Sequence, residues 1–258
     1  MKMRMIAAAA AAICALSCVS CKSSKDTSIS VSENGSDGAA VGELITPTEG
    51  SAEYNLGQYR MSSNGIKLYY DDDVPEELML ALENYFLTFQ NNDFEGYKAA
   101  LFPDYAERYE KYLQNEYDYS LDNSFKLNSE KLCQIVANER IEHNESTEDS
   151  EPSGEFKITR IKAQRPDLTG NTPSDLLMQE DSTEPTTQSL EELEKNAFSY
   201  YDDVFEIDYY DFVKQNCDSI EYLNFYIYAS DEDGDEYPLI GDIDIIFAVK
   251  DGKYYTFG

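Results

Sequence analysis

The stretch Tyr222-Leu223-Asn224-Phe225-Tyr226-Ile227-Tyr228 places Leu223, Phe225 and Ile227 at alternate positions, the period of a strand with one buried face. Ile243, Ile245, Phe247 and Val249 repeat the pattern a short way on. Lys250-Asp251-Gly252-Lys253 then supplies the Asp-Gly pair of a tight hairpin, and Tyr254-Tyr255-Thr256-Phe257 returns as a last strand. Asp and Gly suit such a turn because its two central residues need positive φ. The chain therefore ends in an antiparallel meander of three strands.

Upstream the period changes to that of helices. Asp73-Val74-Pro75-Glu76-Glu77 offers a cap, a Pro for the first turn and acids for the positive helix end, and Leu78, Leu82, Tyr85, Phe86 and Phe89 follow at helical spacing. A helix from Pro75 to about Asn91 is predicted. Asn92-Asp93 restarts a short helix through Leu101, and Pro103-Asp104 starts another through about Tyr117. Phe156-Lys157-Ile158-Thr159-Arg160-Ile161 is strand-like with imperfect alternation. Ser189 with Glu192 has the form of a capping box opening a helix through about Tyr201. Helices first and strands last imply an α+β fold with helices packed on one side of a curved antiparallel sheet.

Three pieces of this pattern carry a resemblance. They are Leu82 to Asp104, with Asn91-Asn92-Asp93-Phe94 and Phe102-Pro103-Asp104; Gly154 to Ile161; and the ending Ile245-Ile246-Phe247-Ala248-Val249-Lys250-Asp251-Gly252-Lys253-Tyr254-Tyr255. Together they make the chain similar to the cone-shaped, nuclear transport factor 2-like domains found in many small bacterial lipoproteins, a group that also holds ketosteroid isomerase-type enzymes. Tyr254 stands where the last strand of that family usually carries Trp. The resemblance implies a pocket between helices and sheet, with Tyr85, Phe89, Phe225, Phe247 and Tyr254 lining it or filling it as plain core.

Of 258 residues, 51 are acidic and 20 basic, giving a formal charge of −31. Nucleic acid and bare anionic lipid surfaces would be repelled. With 41% hydrophobic residues, 21 Tyr and 12 Phe, the chain has the apolar material for a core.

The first residues read as an address. Lys2 and Arg4 precede an uncharged, Ala-rich run from Ile6 to Leu16, too short to span a bilayer as a helix. Leu16-Ser17-Cys18-Val19-Ser20-Cys21 resembles the lipobox of bacterial lipoproteins, in which a Cys after a small residue is acylated and the signal removed. Cys18 and Cys21 each follow a Ser; Cys21 is preferred because Lys22-Ser23-Ser24-Lys25 begins a polar tether at once. The expected organisation is a signal peptide over 1–20, a flexible Ser-, Gly- and Thr-rich tether over 21–53, and one α+β domain over 54–258 with polar loops at 142–153 and 165–188. The tether composition cannot bury enough surface to fold.

Candidate chemistry is sparse. His143, the single histidine, lies in the acidic stretch and is expected to be exposed and non-catalytic. Transition-metal sites draw on several His or Cys, so none is expected, nor is a cofactor. Cys133 and Cys217 either close a disulfide or remain two separate buried thiols. Asp231, Asp233 and Asp235 alternate as in a calcium loop, with Asp242 twelfth, yet Glu236 and Pro238 occupy the positions for Gly and an aliphatic residue. A charged hairpin tip is the simpler reading.

Tyr222, Tyr226 and Tyr228 alternate away from the core set, and Asp242 and Asp244 do so on the neighbouring strand. That face would take up a cationic or sugar-like partner, form a homodimer seam, or simply be wetted. The functional expectation is an extracytoplasmic lipoprotein held on the bacterial cell membrane by its lipid, with a non-catalytic binding or envelope-support domain for a small-molecule or protein ligand. The alternative is a small-molecule enzyme of the cone fold moving protons with pocket carboxylates or tyrosines.

Overall fold

The computed structural model describes residues 41–51, 53–144, 155–166, 168, 189–231 and 233–258, with side chains 139–144 excepted. Cys18, Cys21 and most of the loops expected at 142–153 and 165–188 lie outside the described residues.

Among the described residues, seven strands and six helices follow one another in an α+β arrangement. The strands are β1 (Leu44–Ile45), β2 (Tyr59–Met61), β3 (Lys67–Tyr69), β4 (Lys157–Gln164), β5 (Ser219–Ser230), β6 (Glu236–Lys250) and β7 (Lys253–Thr256). The helices are α1 (Glu76–Gln90), α2 (Phe94–Ala100), α3 (Pro103–Tyr117) and α4 (Leu121–Asn144) between β3 and β4, then α5 (Leu190–Phe205) and α6 (Tyr209–Asn216) before β5. A single-turn 3-10 helix, Tyr54–Leu56, precedes β2. The sheet runs β1 to β7 in chain order. All neighbours are antiparallel except β3 and β4, which are parallel, a correction to the purely antiparallel expectation. The four helices between them return the chain to its starting end, as a parallel pair requires.

Most helix signals act as read from sequence, but α1 begins at Glu76 with Pro75 as its N-cap and no side-chain cap, so the expected cap before Pro75 is not made. Glu76 and Glu77 occupy the first turn of α1, and Leu78, Leu82, Tyr85, Phe86 and Phe89 are buried along it. The Asp93 carboxylate caps α2 by accepting from Gly96 N at 2.9 Å. A Cβ on Gly96 would fall 2.2 Å from that carboxylate, so a larger residue there would push the Asp93 side chain out of its capping position. Ser189 and Glu192 make both bonds of the capping box on α5. At the last hairpin Asp251 and Gly252 both take positive φ, 52° and 71°.

Four features depart from the expectations. Strands β2 and β3 precede the helices, where no strand was expected. Leu44–Ile45 pairs with Tyr59–Arg60, so the sheet reaches back into the stretch whose composition reads as tether. Helix α4 was not foreseen and runs to Asn144, taking in the start of the polar stretch from 142. Helix α6, with Tyr209, Tyr210 and Val213 buried, was not foreseen either.

One sheet face is the core face. Leu68, Ile161 and Ile227 stand in register across β3, β4 and β5 and are fully buried. Helix α1 packs there: Phe86 meets Phe225 at 5.2 Å between ring centroids, and Gln90 Oε1 accepts from Ile158 N at 2.7 Å. At the far edge Phe257 lies 4.8 Å from Phe198 of α5, and Tyr201 donates its hydroxyl proton to Phe257 O.

The aromatic core has a pH consequence. Burial is the main cause pushing the phenols of Tyr85, Tyr97, Tyr105 and Tyr201 above the ordinary tyrosine range. An unfolded chain ionises phenols at about pH 10, so above that pH the folded state holds more protons than the unfolded state. Stability contributed by these groups is complete below about pH 10 and falls as pH rises past it. In an alkaline absorbance titration these tyrosines should stay silent until the chain unfolds, later than the exposed ones; a single titration of all tyrosines in the ordinary range would refute this.

Candidate functional site

The imperfect alternation of β4 turns out to be a bulge. The β4–β5 register shifts between Ile158 and Arg160, leaving Thr159 as the extra residue. Ile158 and Ile161, three positions apart, can then both be buried. The same phase change turns Arg160 and Lys162 to the opposite face. There Lys67 and Tyr69 of β3 lie beside Arg160 and Lys162 of β4, which lie beside Tyr228 and Tyr226 of β5.

All of these but Lys67 line a cleft of about 190 Å³ formed by Tyr69, Arg160, Lys162, Tyr226 and Tyr228, with Asn55 and Leu56 of the 3-10 helix at its rim. The Arg160 guanidinium sits 3.7 Å over the centre of the Tyr228 ring, within cation–π range. Its Nη2 is 2.7 Å from Glu236 Oε2, and Thr159 Oγ1 donates to the other Glu236 oxygen. Lys67 pairs with Glu53, a hydrogen bond that chiefly raises the ammonium above its ordinary pKa. Lys162 is exposed and has no ion pair among the described residues.

Arg160 Nε and the hydroxyl of Tyr69, on residues that line the cleft, lack hydrogen-bond partners and are themselves sealed from solvent. Tyr69 is 5% exposed, and burial pushes its phenol above the usual range. A buried donor without an acceptor costs about 1–3 kcal/mol, a cost carried behind the cleft wall and not at its accessible surface.

The expected tyrosine and aspartate face divides in two. Tyr226 and Tyr228 belong to the cleft; Arg160 stacks on Tyr228, while burial and then a hydrogen bond to the Asp242 carboxylate raise the Tyr226 phenol above its ordinary range. Asp244 instead accepts from Tyr222 at 2.7 Å and from Asn224 at 3.1 Å, while Asp242 accepts from Asn224 at 3.0 Å. Asp242, with φ 52°, occupies the irregularity where the β5–β6 register shifts after Phe225. These carboxylates are occupied by their own sheet neighbours.

The other sequence candidates are placed elsewhere. Tyr85, Phe89, Phe225 and Phe247 are buried in the core; Tyr85, Phe89, Tyr97 and Phe125 contact one another ring to ring. Tyr254 is half-buried against that core. These residues fill the space between α1 and the sheet and do not line the cleft. Cys133, in α4, and Cys217, after α6, form no disulfide; burial raises the Cys217 thiol above its ordinary range. Asp231 caps the β5–β6 hairpin by accepting from Asp233 N and Asp235 N at 3.0 and 3.1 Å. Among the described residues no His, Cys, Asp and Glu side chains are gathered to hold a metal. His143 falls in the last turn of α4, and its side chain lies outside the described residues.

Sequence reasoning found Tyr226 and Tyr228 but missed Tyr69, Arg160, Lys162 and the rim. The available signal was the phase slip between Ile158 and Ile161, which sets Arg160 and Lys162 opposite the buried residues. No known protein family, curated protein or solved structure matches the chain. Among the described residues no helix is long and apolar enough to cross a membrane.

Proposed function

We propose that the chain is an extracytoplasmic lipoprotein, anchored through acylated Cys21 or Cys18, whose α+β domain binds a ligand on the open face of its sheet without transforming it. The observation that carries the binding reading is the open cleft between the 3-10 helix and strands β3 to β5, lined by Tyr69, Tyr226 and Tyr228 together with Arg160 and Lys162. A concavity that joins aromatic walls to a few polar groups is the ordinary form of a ligand site. The core face, by contrast, is occupied by Phe86, Phe225 and their neighbours.

We read the fold as the cone-shaped, nuclear transport factor 2-like type. Support comes from aromatic helix α1 against the core face, from the register irregularities in β4 and β6 that bend a sheet, and from the closing antiparallel meander. The anchor reading rests on the basic start, the apolar run and the Cys at its polar end. Two acyl chains give stable membrane attachment where one is marginal.

The test is expression of the full chain in a bacterial host fed labelled palmitate. The wild type should incorporate label and sediment with membranes, whereas the Cys18→Ser, Cys21→Ser double variant should be unlabelled and soluble. Unlabelled wild-type protein, or a double variant that still sediments with membranes, would overturn the anchor.

A further inference from the structure

Away from the cleft, the outer end of α3 gathers phenols. The helix carries Tyr105, Tyr109 and Tyr112 at the spacing that lays side chains along one face, and Tyr117 is its last residue. The row runs outward: Tyr105 is buried, Tyr109 and Tyr112 are half-buried, and Tyr117 is 64% exposed. At its outer end the phenol oxygens of Tyr112 and Tyr117 lie 3.3 Å apart. Their rings meet edge to face, with centroids 5.7 Å apart and planes at 76°. We propose that this pair is a modification site, at which a one-electron oxidant couples the two rings into a dityrosine within one chain.

The chemistry balances as follows. Each phenol gives one electron to the oxidant and its hydroxyl proton to water, becoming a neutral tyrosyl radical whose unpaired electron is shared with the ring carbons beside the oxygen. A bond forms between one such carbon of each ring. The hydrogen on each of these carbons then moves to the oxygen, restoring both phenols. In sum, two tyrosines yield one dityrosine and two protons, and two equivalents of oxidant are each reduced by one electron.

Solvent access, ring orientation and charge select this pair. An oxidised phenol is a strong acid and must shed its proton; Tyr117 does so directly to water, whereas a positive charge stranded on a ring in the apolar core is costly. Coupling joins ring edges, and the product is a twisted biaryl. Tyr105 and Tyr109 instead stack with planes at 15°, and Tyr109 and Tyr112 at 22°, so these pairs present faces to each other. Tyr59 and Tyr69 also touch, but both are buried away from an oxidant in solution. Holding both phenols on one helix gives each a local concentration of the other that a second copy does not match. Copies with a formal charge of −31 also repel one another, and Glu116 and Asp118 flank Tyr117 at the surface.

The experiment is photo-oxidation of the full chain by ruthenium(III) tris-bipyridine, generated by light with persulfate as the terminal acceptor. Dityrosine fluorescence should appear at a rate per chain that does not depend on protein concentration. Cleavage after Lys111, Glu116 and Lys126 puts Tyr112 and Tyr117 on separate peptides. In the oxidised protein these peptides should be recovered joined, lighter by two hydrogen atoms than their sum, with fragmentation placing the link at Tyr112 and Tyr117. Tyr117→Phe, at an exposed position, should lose both the joined peptides and the emission while its circular dichroism stays native, and Tyr112→Phe should do the same. Tyr54→Phe, which removes another exposed phenol, should change neither. Undiminished emission from Tyr117→Phe would overturn the assignment. So would dityrosine found only in covalent chain dimers, or oxidised wild-type protein whose Tyr112 and Tyr117 peptides still separate.

Discussion

Phe125→Ala should remove about 3–5 kcal/mol of unfolding free energy, the cost of deleting a large ring from a filled core. Phe125 is fully buried on α4. It stacks on Phe89 of α1 at 5.2 Å, and meets Tyr97 and Phe94 of α2 at 5.0 and 5.7 Å. One ring thus joins three helices, and its loss leaves a cavity that Phe89 and Tyr97, themselves held by Tyr85, cannot collapse to fill. Because domains of this size have about 5–15 kcal/mol in total, the variant should unfold at a much lower urea concentration with an unchanged denaturant slope. Lys126→Ala, one position along and outward-facing, should stay within about 0.5 kcal/mol of wild type. A loss below about 1 kcal/mol for Phe125→Ala would show that α4 does not close the core.

Ser62→Ala should cost about 2–3 kcal/mol, more than an ordinary neutral hydrogen bond, because the partner is a carboxylate. Glu83 of α1 is fully buried. It accepts from Ser62 Oγ at 2.6 Å and from Asn64 Nδ2 at 3.0 Å, both on the β2–β3 turn, while its second oxygen has no partner. The Ser62 hydroxyl also accepts from Ile66 N at 3.2 Å. Removing the hydroxyl strips the carboxylate of its shortest bond and strands the Ile66 N–H. Glu83→Gln placed on top of Ser62→Ala should recover part of the loss, since a neutral amide is cheaper to bury than an under-solvated anion. The check is a double-mutant cycle by urea denaturation; strict additivity would deny that the two residues act as one clamp.

Features encoded locally were legible in the sequence. The acids before Leu78, the Asp93 cap, the Ser189–Glu192 box and the Asp251-Gly252 turn each depend on residues within one helical turn or hairpin. Helix α4 was not legible because its buried residues, Leu121, Phe125, Leu132 and Val136, leave gaps in the helical period. They also share the helix with Lys131, which is buried as well. Strand β1 is two residues long, too short for any period to show, and is defined only by its pairing with β2. The cleft was half legible: Tyr226 and Tyr228 stood out by alternation within β5. Tyr69 and Arg160 come together only through the parallel β3–β4 pair, whose partners lie far apart in the chain. The bulge at Thr159 looked like noise in β4 but is what sends Arg160 and Lys162 to the open side.

That parallel junction also dictates when the cleft can come into being. Lys67 to Tyr69 must find Arg160 to Lys162 across four intervening helices, a loop closure whose entropy is met before any contact repays it. The helical layer and the closing meander rest on shorter-range contacts and are free to form earlier. A nascent or partly opened chain in which β3 has not yet joined β4 lacks the Tyr69 wall. Ligand capture would then report on completion of the whole molecule.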